Sequence, residues 1–268
     1  MAEAEWLGSI TWRSDDPLMG GMSALDLTTD GVSFVALSDR GAVTHGILER
    51  DAMGALLGIR AAPLQKLLGR GQAILPKGRA DSEGLAVADD GSFYVSFEGA
   101  TRVLHYVDMQ AEPINLPRPD AFKRYSRNAS LEALAIASDG SLYTLPEDVK
   151  GDFPLWHFAE GVWSQDVFIA RQGDFLPVAA DFGPDGWLYI LERNFQGISG
   201  FASRVRRFDP LIGGMGETVM QSRLGQHDNL EGLAVWRDQD GFIRLTMIAD
   251  DNFRFFQSTE IAEYRLSD

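Results

Sequence analysis

The chain has 268 residues, 45% of them apolar, and carries a formal net charge of −15. That acidity repels nucleic acid and anionic membranes and favours cations or cationic partners. The absence of cysteine excludes disulfides and thiolate metal sites, and no apolar run of about eighteen residues is present to span a membrane as a helix.

The chain opens on Met1-Ala2-Glu3-Ala4-Glu5, small and acidic residues of the kind that follow a secretory cleavage site. A periplasmic or secreted bacterial-type protein, mature and without its signal peptide, is expected. Trp6 to Trp12 then reads as a strand.

From there the sequence repeats. The first copy sets Ala24-Leu25-Asp26-Leu27 before an Asp30-Gly31 turn and Val32 to Leu37 after it. The second runs Gly84-Leu85-Ala86-Val87, Asp90-Gly91, Phe93-Tyr94-Val95, and the third Ala133-Leu134-Ala135-Ile136, Asp139-Gly140, Leu142-Tyr143-Thr144. The fourth has Pro177-Val178-Ala179-Ala180, Asp185-Gly186 and Trp187 to Ile190; the fifth has Gly232-Leu233-Ala234-Val235, Asp240-Gly241 and Phe242 to Ile248. Asp-Gly between apolar runs is a hairpin signal, because both turn residues tolerate positive φ. Third strands follow at Val103 to Tyr106, Leu155 to Phe158, Arg204 to Phe208 and Ile261 to Leu266.

A repeat of roughly 50 residues carrying short strands predicts an all-β fold, a β-propeller of antiparallel blades. Five blades are favoured, with six as the alternative if a degenerate blade hides in the insert from about Ala52 to Leu75. Pairing the N-terminal strand into the last blade would close the ring and remove an open edge. A single domain over residues 1–268 and a monomer are expected.

The hairpins place the chemistry. In a propeller the first strand of each blade lines the channel and the second returns, so the start of one and the end of the other share a face. The first-strand positions are Ser23, Glu83, Glu132, Val178 and Glu231; the second-strand ends are Asp39, Glu98, Glu147, Glu192 and Asp250. Eight carboxylates therefore gather at one mouth. Like charges this close raise one another's pKa, and an oxygen-rich set suits a divalent cation, Ca²⁺ above all. Cysteine is lacking and histidine sparse, which disfavours zinc.

Arg40 and Arg193 adjoin these acids, and Arg127 lies in the basic run Lys123 to Asn128 that leads to Glu132. They would hold an anionic group in a bidentate fork or form salt bridges to the acids. His227 precedes Asp228 to Glu231 and is a candidate proton carrier, and His45 a weaker one. His105 and His157 fall at matching places in third strands and read as structural.

Ser82-Glu83-Gly84-Leu85-Ala86, Leu131-Glu132-Ala133-Leu134-Ala135 and Leu230-Glu231-Gly232-Leu233-Ala234 resemble the phytase-like domain described as esterase-like activity of phytase. So do Leu37 to Gly41, Val95 to Gly99 and Leu191 to Asn194. The resemblance covers about Gly21 to Asn252 and implies a secreted or periplasmic propeller with a phosphodiesterase or phosphatase-like role. Ser23 and Val178 depart from the motif, so the ring of acids is incomplete.

Three functions follow as expectations. One is a calcium-dependent esterase or phosphoesterase acting on a small anionic ester or phosphate-containing ligand. A second is a calcium-type lactonase-like propeller, given Asn128, Asn194, Asn229 and Asn252 near the mouth. The third is a non-catalytic binding propeller with a structural cation.

Overall fold

In the computed structural model, which describes residues 4–125, 130–147, 149–254 and 257–266, the Asp-Gly turns close hairpins where the repeat places them. The chain enters on β1 (Glu5–Thr11). It then builds the first blade from β2 (Met22–Leu27), β3 (Ser33–Ser38), β4 (Ala42–Arg50) and β5 (Leu56–Ala61), with β6 (Gln65–Lys66) also beside β4. The second blade is β7 (Ser82–Val87), β8 (Phe93–Phe97), β9 (Arg102–Tyr106) and β10 (Ile114–Asn115). The third is β11 (Leu131–Ile136), β12 (Leu142–Pro146), β13 (Phe153–Ala159) and β14 (Val162–Ile169). The fourth is β15 (Leu176–Phe182), β16 (Leu188–Phe195), β17 (Phe201–Phe208) and β18 (Glu217–Gln221). The fifth is β19 (Asn229–Arg237), β20 (Ile243–Asp250) and β21 (Glu260–Arg265), completed by β1 as its outer strand.

The protein is thus a five-bladed β-propeller. The insert after the first copy supplies β5 and β6 and no sixth blade. The N-terminal strand closes the ring, running antiparallel to β21 from Glu5↔Arg265 to Thr11↔Glu260. A buried salt bridge of 2.6 Å between Arg50 of the first blade and Glu263 of the fifth reinforces that seam. Gly31 is required there: its φ is +68°, and a Cβ would meet the Trp236 ring at 2.4 Å.

The core is divided as the blades are. Five apolar clusters each fill the wedge between two neighbouring blades. Phe93, Val95 and Tyr106 of the second blade pack on Leu37 and Val43 of the first, for example. Each such side chain contributes about 1.5–3 kcal/mol on burial, so every blade is held by both neighbours. The inner strands β2, β7, β11, β15 and β19 touch in that order around the channel.

Tyr94↔His105, Tyr143↔His157 and Val35↔His45 are the same cross-strand pair in three blades. The first two are stacked rings, 4.4 and 4.6 Å apart. His45 therefore occupies a mid-strand position shared with two structural histidines and does not belong to the mouth.

Candidate functional site

The acids reach the mouth through a repeated irregularity. Each inner strand slips in register near its mouth end: between Met22 and Ala24, Ser82 and Leu85, Leu131 and Ala133, Pro177 and Ala179, and Leu230 and Gly232. The side chains inside these bulges are Ser23, Glu83, Glu132, Val178 and Glu231. A bulge re-aims its residue out of the regular ladder, and here Ser23, Glu83, Val178 and Glu231 all line the channel.

Glu83, Glu98 and Glu132 converge. One carboxylate oxygen from each lies within 4.8 Å of the other two, a separation that one ion with ligands at about 2.3–2.6 Å can bridge. Glu98 also accepts a hydrogen bond from the Ser130 backbone N–H at 3.0 Å, which fixes it against the third blade. Burial, followed by the charges of Glu231, Glu98, Asp81 and Asp39, pushes Glu83 well above the usual carboxylate range. Burial and then Glu83, Glu147, Glu98 and Glu231 do the same to Glu132. Burial raises Glu98 as well, against the hydrogen bond from the Ser130 N–H. The donor set therefore fits a hard divalent cation, whose charge would replace those protons.

The fourth blade answers with a cation. Arg193 donates to Glu147 of the third blade at 2.9 Å and to Glu231 and Asn229 of the fifth. Asn229 also donates to Glu231 at 2.6 Å. Burial works against the charge on Arg193, but Glu231, Glu147 and Glu132 outweigh it and raise its pKa. Glu231 is raised by burial and pulled back by Arg193. The mouth is thus divided: Arg193 pairs directly with the acids of one side, and Glu83, Glu98 and Glu132 form no ion pair among the described residues.

Other sequence-predicted residues fall elsewhere. Glu192 is a correction. Its carboxylate is fully buried and bonded by Arg204 at 2.7 Å and by Arg206, on the face of β16 opposite Arg193. The residue matching Glu98 and Glu147 is Arg193, because Glu192 pairs with Pro177 as Phe97 pairs with Ser82 and Pro146 with Leu131. His227 is likewise diverted. It is buried, with Nε2 2.7 Å from the Tyr264 hydroxyl and Nδ1 3.3 Å from Glu260, so it braces the closing blade.

Arg40 stacks on the Phe253 ring, 3.2 Å from its centroid, at the rim between the first and fifth blades. Asp39 and Asp250 do stand at the mouth. Burial, opposed by Arg40 and aided by Glu231 and Asp81, brings Asp39 to about 6. Burial and Glu231 bring Asp250 to about 8. Ser23, the acid missing from the first blade, donates to the Ser82 carbonyl at 2.9 Å and ties two blades together. Arg127 and Asn128 lie outside the described residues.

Two acids were missed. Asp26 and Asp181 occupy the same inner-strand position in the first and fourth blades, where the other three blades carry Ala86, Ala135 and Ala234. Asp26 accepts from the Val87 N–H at 2.7 Å, and Asp181 from the Val235 N–H at 2.6 Å. Each clasps the next inner strand. Burial lifts Asp26 to about 7, and burial together with Asp26 lifts Asp181 well above the usual range.

This fold and this mouth define a propeller with a carboxylate-rich channel entrance. The chain belongs to the phytase-like family, described as esterase-like activity of phytase, whose model matches residues 17–253. No curated protein gives a significant sequence match. Among solved structures, the chain is similar to an α-L-arabinofuranosidase from Podospora anserina, solved with cellotriose. The identity is 11% and the TM-score 0.53, covering 100% of this chain and 97% of that one. It is also similar to the PQQ-bound form of an aldose sugar dehydrogenase from Streptomyces coelicolor, at 11% identity and TM-score 0.52, covering 97% and 98%. At such identity the likeness is one of fold. Among the described residues, no helix is long and apolar enough to cross a membrane.

Proposed function

We propose that the protein is a cation-dependent esterase acting on small anionic esters, phosphoesters above all, with Ca²⁺ held by Glu83, Glu98 and Glu132. The observation that carries this reading is the convergence of those three carboxylates within 4.8 Å, supported by membership of a family described by esterase-like activity. A bound divalent cation supplies Lewis-acid polarisation of an ester oxygen. The chain's own residues supply the rest. Arg193 keeps Glu147 and Glu231 fixed at the mouth, so a substrate meets a preorganised entrance. Asp39 and Asp250, at about 6 and about 8, titrate in the range that proton transfer near neutrality needs. A periplasmic or extracellular setting, rich in calcium, is the proposed location.

The pairing of Asn229 with Glu231 gives the mouth a mixed amide and carboxylate character, which keeps cyclic esters among the substrates to test. Hydrolysis of p-nitrophenyl phosphate, bis(p-nitrophenyl) phosphate, p-nitrophenyl acetate and a six-membered lactone is measured with Ca²⁺ and with chelator. Turnover of a phosphate ester that needs Ca²⁺ and vanishes in Glu83→Gln and Glu132→Gln is expected. Equal turnover in these variants, or turnover of the lactone alone, would overturn the phosphoesterase reading.

A further inference from the structure

The second hairpin of the fourth blade overtops the mouth. Strands β16 and β17 pair through to Phe195↔Phe201, two residues beyond Arg193, and side chains two apart on a strand share a face. Phe195, and Phe201 across the ladder, therefore stand on the Arg193 side. The Phe201 ring centre is 5.8 Å from the Arg193 guanidinium carbon, and the two phenyl rings lie 4.8 Å apart. Phe195 is 62% exposed, Ile198 at the tip is fully exposed, and Leu224 on the adjoining loop is 43% exposed.

This apolar surface is braced. The Gln196 N–H donates to the Gly200 carbonyl at 2.9 Å, and the Gly225 N–H donates to the Phe201 carbonyl at 2.8 Å, which fastens the tip to the loop carrying Leu224. Exposed apolar area costs about 25 cal/mol per Å² relative to burial. A fixed aromatic ledge continuous with a charged mouth is the pattern of a ligand site, apolar walls with a few polar groups for orientation.

We propose that Phe195, Phe201, Ile198 and Leu224 form a shelf for an aryl or long alkyl group of a ligand whose anionic end lies at the mouth, on the cation proposed for Glu83, Glu98 and Glu132. The proposal rests on the esterase reading and narrows its substrate class to hydrophobic monoesters over compact, polyhydroxylated ones. Shelf residues set affinity and touch none of the reacting atoms.

The test is binding, not turnover. Calorimetry of the whole chain with Ca²⁺ compares phenylphosphonate with methylphosphonate, neither of which carries a hydrolysable ester. The wild type binds the phenyl compound about tenfold more tightly, and the double variant Phe195→Ser with Ile198→Ser loses that preference while still binding methylphosphonate. Both positions are exposed, so the fold tolerates the change, and an unaltered melting temperature verifies it. Equal affinity for the two probes, or binding of neither, overturns the shelf. So does a wild-type dimer in light scattering that the double variant abolishes, because a second copy would then be the occupant. Phenyl preference without hydrolysis of any ester leaves the shelf standing and removes the esterase reading.

Discussion

Arg193 donates to Glu147 at 2.9 Å, so a cation from the fourth blade is fastened to an acid from the third. The same guanidinium holds Glu231 of the fifth blade, and a single side chain thereby spans three of the five blades.

Arg193→Gln leaves two largely buried acids without their counter-charge. Breaking such a pair costs about 3 kcal/mol. Urea unfolding should show that loss without added metal. Ca²⁺ should restore more stability to the variant than it adds to the wild type, because Glu147 and Glu231 then become available as ligands. A variant as stable as the wild type would remove Arg193 from this role.

Glu192 and Glu132 should separate structure from metal binding. Glu192→Gln strips the buried Arg204 and Arg206 of their shared carboxylate, and a loss of about 3 kcal/mol is expected, with calcium affinity within about twofold of wild type. Glu132→Gln should keep the fold and lose calcium binding by at least about tenfold. Isothermal calorimetry beside thermal melts distinguishes the two, and the reverse pattern would return Glu192 to the ligand set.

Stability should fall as pH rises. Asp26 has a folded-state pKa of about 7 against an ordinary value of 3.8, so the folded chain binds its proton more tightly than the unfolded chain. The stabilisation is complete below about pH 4 and is lost as pH rises towards 7, at up to about 1.4 kcal/mol per pH unit for one group. Asp181, raised further, extends the loss to higher pH. Asp26→Asn keeps an acceptor for the Val87 N–H and removes the ionisation. Urea unfolding at pH 5 and pH 8 should find a smaller pH dependence in this variant and greater stability than wild type at pH 8. Parallel curves would refute the burial argument.

Calcium should matter most where the mouth acids ionise. At a free concentration 100 times the dissociation constant, binding adds about 2.7 kcal/mol, so chelation should lower the melting temperature at pH 8. At pH 5 the protons raised onto Glu83 and Glu132 compete with the ion, and chelation should have little effect. Equal shifts at both pH values would count against these carboxylates as ligands.

Most of the ring was legible in the sequence. The Asp-Gly turns gave the repeat, and in the second and third blades a count of eight residues from the turn reaches the mouth acid. The same count locates the error in the fourth blade. Arg193 is eight residues after Asp185, as Glu98 is after Asp90 and Glu147 after Asp139. Choosing the nearest acid selected Glu192, one residue early, and a shift of one residue turns a strand side chain to the other face. The diversion of His227 to Tyr264 was not readable, because the partners lie 37 residues apart on a strand that also carries the ring closure. Asp26 and Asp181 looked like ordinary strand residues, and only the alanines facing them in the ring show that the channel makes room for acids there.

The closing strand has a consequence for how the protein folds. β1 precedes every blade in chain order, and its partner β21 follows the other strands of all five. Its ladder joins residues as distant as Glu5 and Arg265. Contacts of such sequence separation form slowly, and an unpaired edge strand in the interval invites association with other chains. The first four blades are each continuous in the chain, whereas the pairing of β1 and the contact of Arg193 with Glu231 both wait for the fifth.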